Sequence, residues 1–151
     1  MKAFLKGEKN GLLLLILSGL LFVLWARIVI FELNRGIYTH GLDTVIKRTE
    51  CALHLGWEID PGSEKLEQIK IPDEFNDVYK NYNKLQKKTG FDLSRYRGKT
   101  VSKYTYIILN PPENSKDKFY LNLLIYENSL IGGDTMTPSL YGFMLPLIRG
   151  K

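Results

Sequence analysis

The chain has 151 residues, 44% hydrophobic and 25% charged, with 21 Lys and Arg against 16 Asp and Glu for a formal charge of +5. That length supports one small domain, and the composition excludes a disordered, collagen-like or disulfide-scaffold chain, because apolar residues suffice for a core and Cys51 is the only cysteine. The average conceals a sharp local departure: no charged residue occurs between Asn10 and Ala26, and the apolar run continues past Arg27 to Phe31.

Gly11 to Phe31 reads as a transmembrane helix, preceded by a short cytoplasmic tail over residues 1–10. As a helix these residues span about 31 Å, the thickness of a bilayer's hydrocarbon core. Leucine dominates, and no internal polar set points to a pore. Arg27 lies close enough to the end for its guanidinium to reach the headgroups, with Trp25 at the same level. A buried soluble helix would need a polar face, which is missing. A cleaved signal usually has a core of only about 7–15 residues and small residues before its cleavage point. Trp25-Ala26-Arg27-Ile28-Val29-Ile30 has no such pair, so the reading is a retained, single-pass signal anchor. Lys2, Lys6 and Lys9 before the segment, against Arg27 and Arg35 at or after its end, bias the N-terminus toward the cytoplasm and the rest outward.

Residues 32–38 read as a juxtamembrane connector and 39–151 as an extracytoplasmic α+β domain, two helices packed on one face of an antiparallel sheet. Residues 32–151 carry 17 basic and 15 acidic side chains, so the overall basicity gives no reason to expect nucleic acid. Leu42, Val45, Ile46, Thr49, Ala52 and Leu53 recur at helical spacing, predicting a helix over 39–55 closed by Gly56. Trp57 and Ile59 before Pro61-Gly62, then Leu66, Ile69 and Ile71, predict a short hairpin. Pro72, Asp73 and Glu74 open a second helix with the stripe Phe75, Val78, Tyr79, Tyr82 and Leu85, closed by Gly90. From Lys99 the period becomes two. Val101, Thr105, Ile107 and Leu109 are placed on one face of a strand and Tyr104, Tyr106 and Ile108 on the other, up to Pro111-Pro112. After a polar loop, Glu113 to Lys118, the residues Phe119, Leu121, Leu123 and Ile125 form an inward face. Glu127-Asn128-Ser129 turns into Leu130 and Ile131, Gly132-Gly133 marks a bulge or close backbone approach, and Leu140 to Ile148 docks as an irregular tail.

Several strings in this stretch resemble a known family: Glu50-Cys51-Ala52-Leu53, Leu55-Gly56-Trp57-Glu58, Ile71-Pro72 with Phe75 and Val78-Tyr79, Tyr82-Asn83 with Leu85-Gln86, Gly90-Phe91-Asp92-Leu93, Tyr96-Arg97-Gly98-Lys99, Tyr104-Thr105-Tyr106 and Ile131-Gly132-Gly133-Asp134. Over about residues 45–136 they resemble the bacterial domain of unknown function 4830 (DUF4830). The resemblance implies a Gram-positive setting behind a membrane helix or lipoprotein signal, and it carries over no catalytic or binding residue.

The chemistry therefore rests on the residues themselves. Cys51 and His54, three apart on a helix, make a minimal thiolate and base for a small envelope hydrolase or redox enzyme, but no orienting group or oxyanion pocket accompanies them. Simple packing accounts better for Cys51. His40, His54 and Cys51 lack chelating spacings, and Glu58, Asp60, Glu64 and Glu67 around Pro61-Gly62 lack a calcium-loop pattern, so no metal and no cofactor is expected. Gly132-Gly133-Asp134 is followed by no phosphate-loop element. The one patterned charge feature is Lys84, Lys87, Lys88, Arg95, Arg97, Lys99 and Lys103, with only Asp92 among them, interleaved with Tyr96 and Tyr104 and near Tyr106. The expectation is an anionic-ligand patch beside an aromatic surface at Tyr96, Tyr104 and Tyr106, in a non-enzymatic binding or interaction module of the cell envelope. Its partners would be the bilayer through residues 11–31 and an envelope protein or anionic envelope polymer. A sensor signalling through the tail 1–10 is the third reading.

Overall fold

A computed structural model describes residues 2–112, 118–138 and 144–149, and shows three α-helices and a five-stranded antiparallel sheet in an α+β arrangement. The chain divides into two compact units, 1–37 and 38–151. The first is helix α1 (Lys2–Thr39), which runs on through the residues expected to form a connector and ends just inside the second unit. Its Leu13–Ile30 portion is long and apolar enough to cross a membrane, and none of it is buried against protein.

In the second unit the elements run in the order α2 (Val45–His54), β1 (Ile59–Lys70), α3 (Asp77–Lys87), a 3-10 turn (Leu93–Tyr96), β2 (Thr100–Ile108), β3 (Tyr120–Tyr126), β4 (Ser129–Met136) and β5 (Met144–Pro146). α2 begins later than its apolar spacing predicts. Gly41 takes a positive φ, the Leu42 amide bonds to the Asn128 carbonyl at 2.9 Å, and Thr44 caps the helix by accepting from the Lys47 amide at 3.3 Å. Both helix ends close as the glycines foretell. The amides of Gly56 and Trp57 bond back to the carbonyls of Leu53 and Ala52, and those of Gly90 and Phe91 to Lys87 and Gln86. Gly56 and Gly90 stand at φ +93° and +82°, the left-handed position such a closure needs.

The hairpin expected across Pro61-Gly62 is instead one strand with a bulge. Pro61 has no amide to offer the ladder, so the register with β2 breaks between Asp60 and Lys65. The Ser63 hydroxyl fills the gap, donating to the Asp60 carbonyl at 2.6 Å and accepting from the Ile107 amide at 2.8 Å. The strands form a meander in chain order, β1 to β5. β3 and β4 join through Glu127 and Asn128, at φ 48° and 58°, a two-residue loop of the type that suits the sheet's twist.

Alternate residues of a strand face opposite sides, and the two halves of the core sort by that rule. Tyr106, Ile108, Leu121, Leu123 and Ile125 pack with Cys51, Ala52, Leu55 and Trp57, so α2 covers one face. Val101, Leu124 and Ile131 pack with Ile71, Phe75 and Leu93, with Tyr79 and Tyr82 against them, so α3 covers the other. The helices thus flank the sheet rather than sharing a face. On β2 the two expected faces are both covered: Tyr106 and Ile108 lie in the core under α2 and Val101 in the core under α3, while Leu109, past the strand's end, is exposed. Phe119, Leu121, Leu123 and Ile125 point inward as expected. Of the tail, residues 139–143 lie outside the described residues, as do 113–117 of the polar loop. Residues 144–149 add the edge strand β5 and bury Leu147, whose carbonyl accepts from the Trp57 indole at 2.6 Å.

Candidate functional site

α3 carries its lysines on one stripe. Its N-cap Asn76 accepts from the Tyr79 amide at 2.9 Å, and its inner face is held by Tyr82, Asn83 and Gln86. Asn83 is almost fully buried and fixes the neighbouring turn. Its carbonyl oxygen accepts from the Leu93 amide and its amide group donates to Asp92, both at 2.8 Å. Asp92 also accepts from the Ser94 amide at 3.0 Å and hydroxyl at 2.6 Å, capping the 3-10 turn. These bonds, led by the Ser94 hydroxyl and Asn83, with Lys87 3.4 Å away, hold its carboxyl well below the ordinary carboxylate range.

Between the outer stripe of α3 and the chain beyond this turn lies an open groove of about 580 Å³, lined by Phe75, Asp77, Lys80, Asn81, Asn83, Lys84, Lys87, Ser94 and Arg97. Four cations face one carboxylate there. Arg97 lies over the ring of Phe75, 4.7 Å from its centroid, and makes no ion pair among the described residues. Lys80 is paired with Asp77 at 3.1 Å, whereas the nearest partner of the Lys84 ammonium is the neutral Asn81 oxygen at 3.5 Å. Lys84 and Arg97 are the cations least neutralised by the protein itself.

The structure divides the seven basic residues read from the sequence. Lys84, Lys87 and Arg97 share the groove. Lys88 lines a second concavity with Trp57, Thr89, Pro112, Leu145, Pro146, Ile148 and Arg149. Arg95 is exposed outside both, Lys99 sits 6.0 Å from the centre of the Tyr126 ring, and Lys103 pairs with Glu67 at 2.5 Å. The aromatic surface is corrected more strongly. Tyr106 is fully buried, and Tyr104 lies under the Arg48 guanidinium at 3.9 Å on the α2 side, because strand parity puts both on the sheet face opposite the groove. Tyr96 alone is on the groove's side, half-buried edge-on against Tyr126. Sequence reasoning missed Lys80, Asn81, Ser94 and Phe75. The recurrence of lysine at 80, 84 and 87 was the available signal, since those positions share a helix face.

Two buried polar networks account for other candidates. Arg48 of α2 donates to Glu64 at 2.8 Å, to the Tyr106 hydroxyl at 2.8 Å and to the Leu42 carbonyl at 3.0 Å, while Tyr106 donates to Glu64. Glu64 thereby ties the bulged strand to α2. On the opposite face Asp134 accepts from Tyr82 at 2.7 Å and from Asn122 at 2.8 Å, and the Asn122 oxygen accepts from Thr105 at 2.7 Å. Burial raises the Asp134 carboxyl above its ordinary value. Gly132 and Gly133 precede it at a close approach: a Cβ on Gly132 would stand 2.8 Å from the Gln86 side-chain oxygen, and one on Gly133 would collide with the Asn122 carbonyl. The structure places a bulge here as well, where β4 slips past Leu124 and Ile125.

Cys51 is buried and its thiol is pushed up to about 12 by desolvation, while His54 is exposed and stacks on Tyr38 at 3.9 Å. They form no nucleophile and base pair. His40 bonds through Nδ1 to the Ser129 hydroxyl at 2.8 Å, and no carboxylate orients it among the described residues. Nor does any group of three or more His, Cys, Asp and Glu converge there on one point.

A family model described as a domain of unknown function (DUF4830) matches residues 53–135, more than half of the chain. The protein belongs to that family. No curated protein and no solved structure matches the chain.

Proposed function

We propose that the protein is a non-enzymatic binding domain, held on the outer side of a membrane by a single pass of α1, that recognises an anionic envelope component through the groove beside α3. The observation that carries this reading is the convergence of Lys80, Lys84, Lys87 and Arg97 on one concavity floored by Phe75. Anions are drawn to such a cleft because low-dielectric walls concentrate the field of the cations. Anchorage rests on the Leu13–Ile30 stretch, and orientation on the lysines that precede it. The full chain with a C-terminal epitope should stay with membranes through an alkaline carbonate wash, and protease added to intact cells should remove the epitope. An epitope protected in intact cells but cut after lysis would reverse the orientation. Purified in maltoside micelles, the protein should bind a soluble polyanion, with affinity falling as salt rises.

A further inference from the structure

The groove's geometry specifies more than negative charge, and on the reading that it is the binding site we propose that its ligand is an extended chain of phosphodiester-linked polyol or sugar units. Three observations lead there. First, size: about 580 Å³ is the volume of a site for a whole small molecule rather than a lone phosphate. Second, spacing: Lys80, Lys84 and Lys87 succeed one another along α3 at helix rises of about 6 Å and 4.5 Å, a ladder of about 10.5 Å that suits successive anionic groups along one chain. Third, the cations stand on two walls, the lysines on α3 and Arg97 on the segment after the 3-10 turn. A planar carboxylate offers its lone pairs in one plane. The two charged oxygens of a tetrahedral phosphodiester accept over a cone of directions, so both walls can reach them at once, the guanidinium fork of Arg97 from one side and a lysine ammonium from the other.

The remaining lining residues suit the units between the charges. Asn81 and Ser94 are neutral hydrogen-bonding groups, Asp77 is an acceptor for hydroxyls, and Phe75 offers an apolar floor with Arg97 already laid across it. The primary phosphate subsite is assigned to Lys84 and Arg97, the two cations least engaged by protein carboxylates.

The test is calorimetric titration of the full-length protein in maltoside micelles with four probes: soluble poly(glycerol phosphate), inorganic phosphate, polygalacturonate of matched charge, and micelles doped with phosphatidylglycerol. Poly(glycerol phosphate) should bind at least about tenfold more tightly than polygalacturonate or inorganic phosphate. Lys84→Ala and Arg97→Ala should each weaken it by about tenfold, while Lys88→Ala and Arg95→Ala, outside the groove, stay within about twofold. Arg97→Lys keeps the charge but loses the fork, so it should weaken binding of poly(glycerol phosphate) by several-fold, less than Arg97→Ala does, while retaining the wild-type unfolding midpoint. Equal binding of polygalacturonate would overturn the phosphate assignment and leave the anion-binding reading standing. Binding to the doped micelles with none to the polymer would replace the chain by a lipid headgroup. Binding to none of the probes, or equal losses in all four alanine variants, would overturn the groove itself.

Discussion

Asp92 shows how much structure a single carboxylate can carry. One of its oxygens receives the Ser94 amide, the Ser94 hydroxyl and the Asn83 amide group, so the charged form is favoured in the folded protein and its proton affinity falls. The corresponding stability is present above the unfolded-state value near pH 4 and is lost as pH falls through the lower folded value. Asp92→Asn should therefore cost about 1 kcal/mol at pH 7 and flatten the acid side of the stability profile, as urea unfolding at pH 3 and pH 7 would show. Asp134 works with the opposite sign: its value is raised by burial, so its contribution declines as pH rises from the ordinary carboxylate value to the folded one. Cys51, with its thiol at about 12 and no exposure, should ignore a small disulfide reagent at pH 8 in the folded state and react fully in denaturant. Rapid labelling of the native protein would make it a reactive group again.

At the scale of elements, α2 and α3 hold the sheet by different means. α2 is fastened by a nearly buried guanidinium, with Arg48 reaching Glu64, Tyr106 and the Leu42 carbonyl at once. Arg48→Ala should lower stability by about 2–3 kcal/mol, because Glu64 and Tyr106 lose their shared partner while Glu64 keeps some water to soften the loss. A cycle with Glu64→Gln would isolate the coupling. α3 is fastened by fit to small residues, Gln86 bonding the Gly133 amide at 2.8 Å above a site where no Cβ has room. Gly133→Ala should cost about 1–3 kcal/mol in a thermal or chemical melt.

The whole molecule explains which parts could be read in advance. The apolar segment, the existence and C-terminal ends of the two helices, the Glu127-Asn128 turn and the inward residues of β3 were legible, because period, composition and turn chemistry fix them locally. The helix starts were not, since Thr44 and Asn76 cap them later than the apolar spacing suggests, and Val78 of the expected stripe is exposed. The side of the sheet each helix takes was not. Val101 and Tyr106 are both apolar enough for a core, and only the second helix on the far face makes it evident that both sides of β2 are covered. The same ambiguity hid the fate of Tyr104 and Tyr106, and with it the true composition of the site. Lys80 was overlooked because it lies before the basic run in sequence, although it shares a helix face with Lys84 and Lys87.

The backbone bonds at the start of the second unit bear on how it would carry a load. His40 bridges to Ser129, and the Leu42 amide bonds the Asn128 carbonyl, so the chain enters the fold riveted to the tip of the β3–β4 hairpin. Those strands are interior to the sheet, each with a neighbour on both sides. Tension applied through the N-terminal side would therefore pass first to the β3–β4 hairpin in the interior of the sheet, ahead of the bulged edge strand β1.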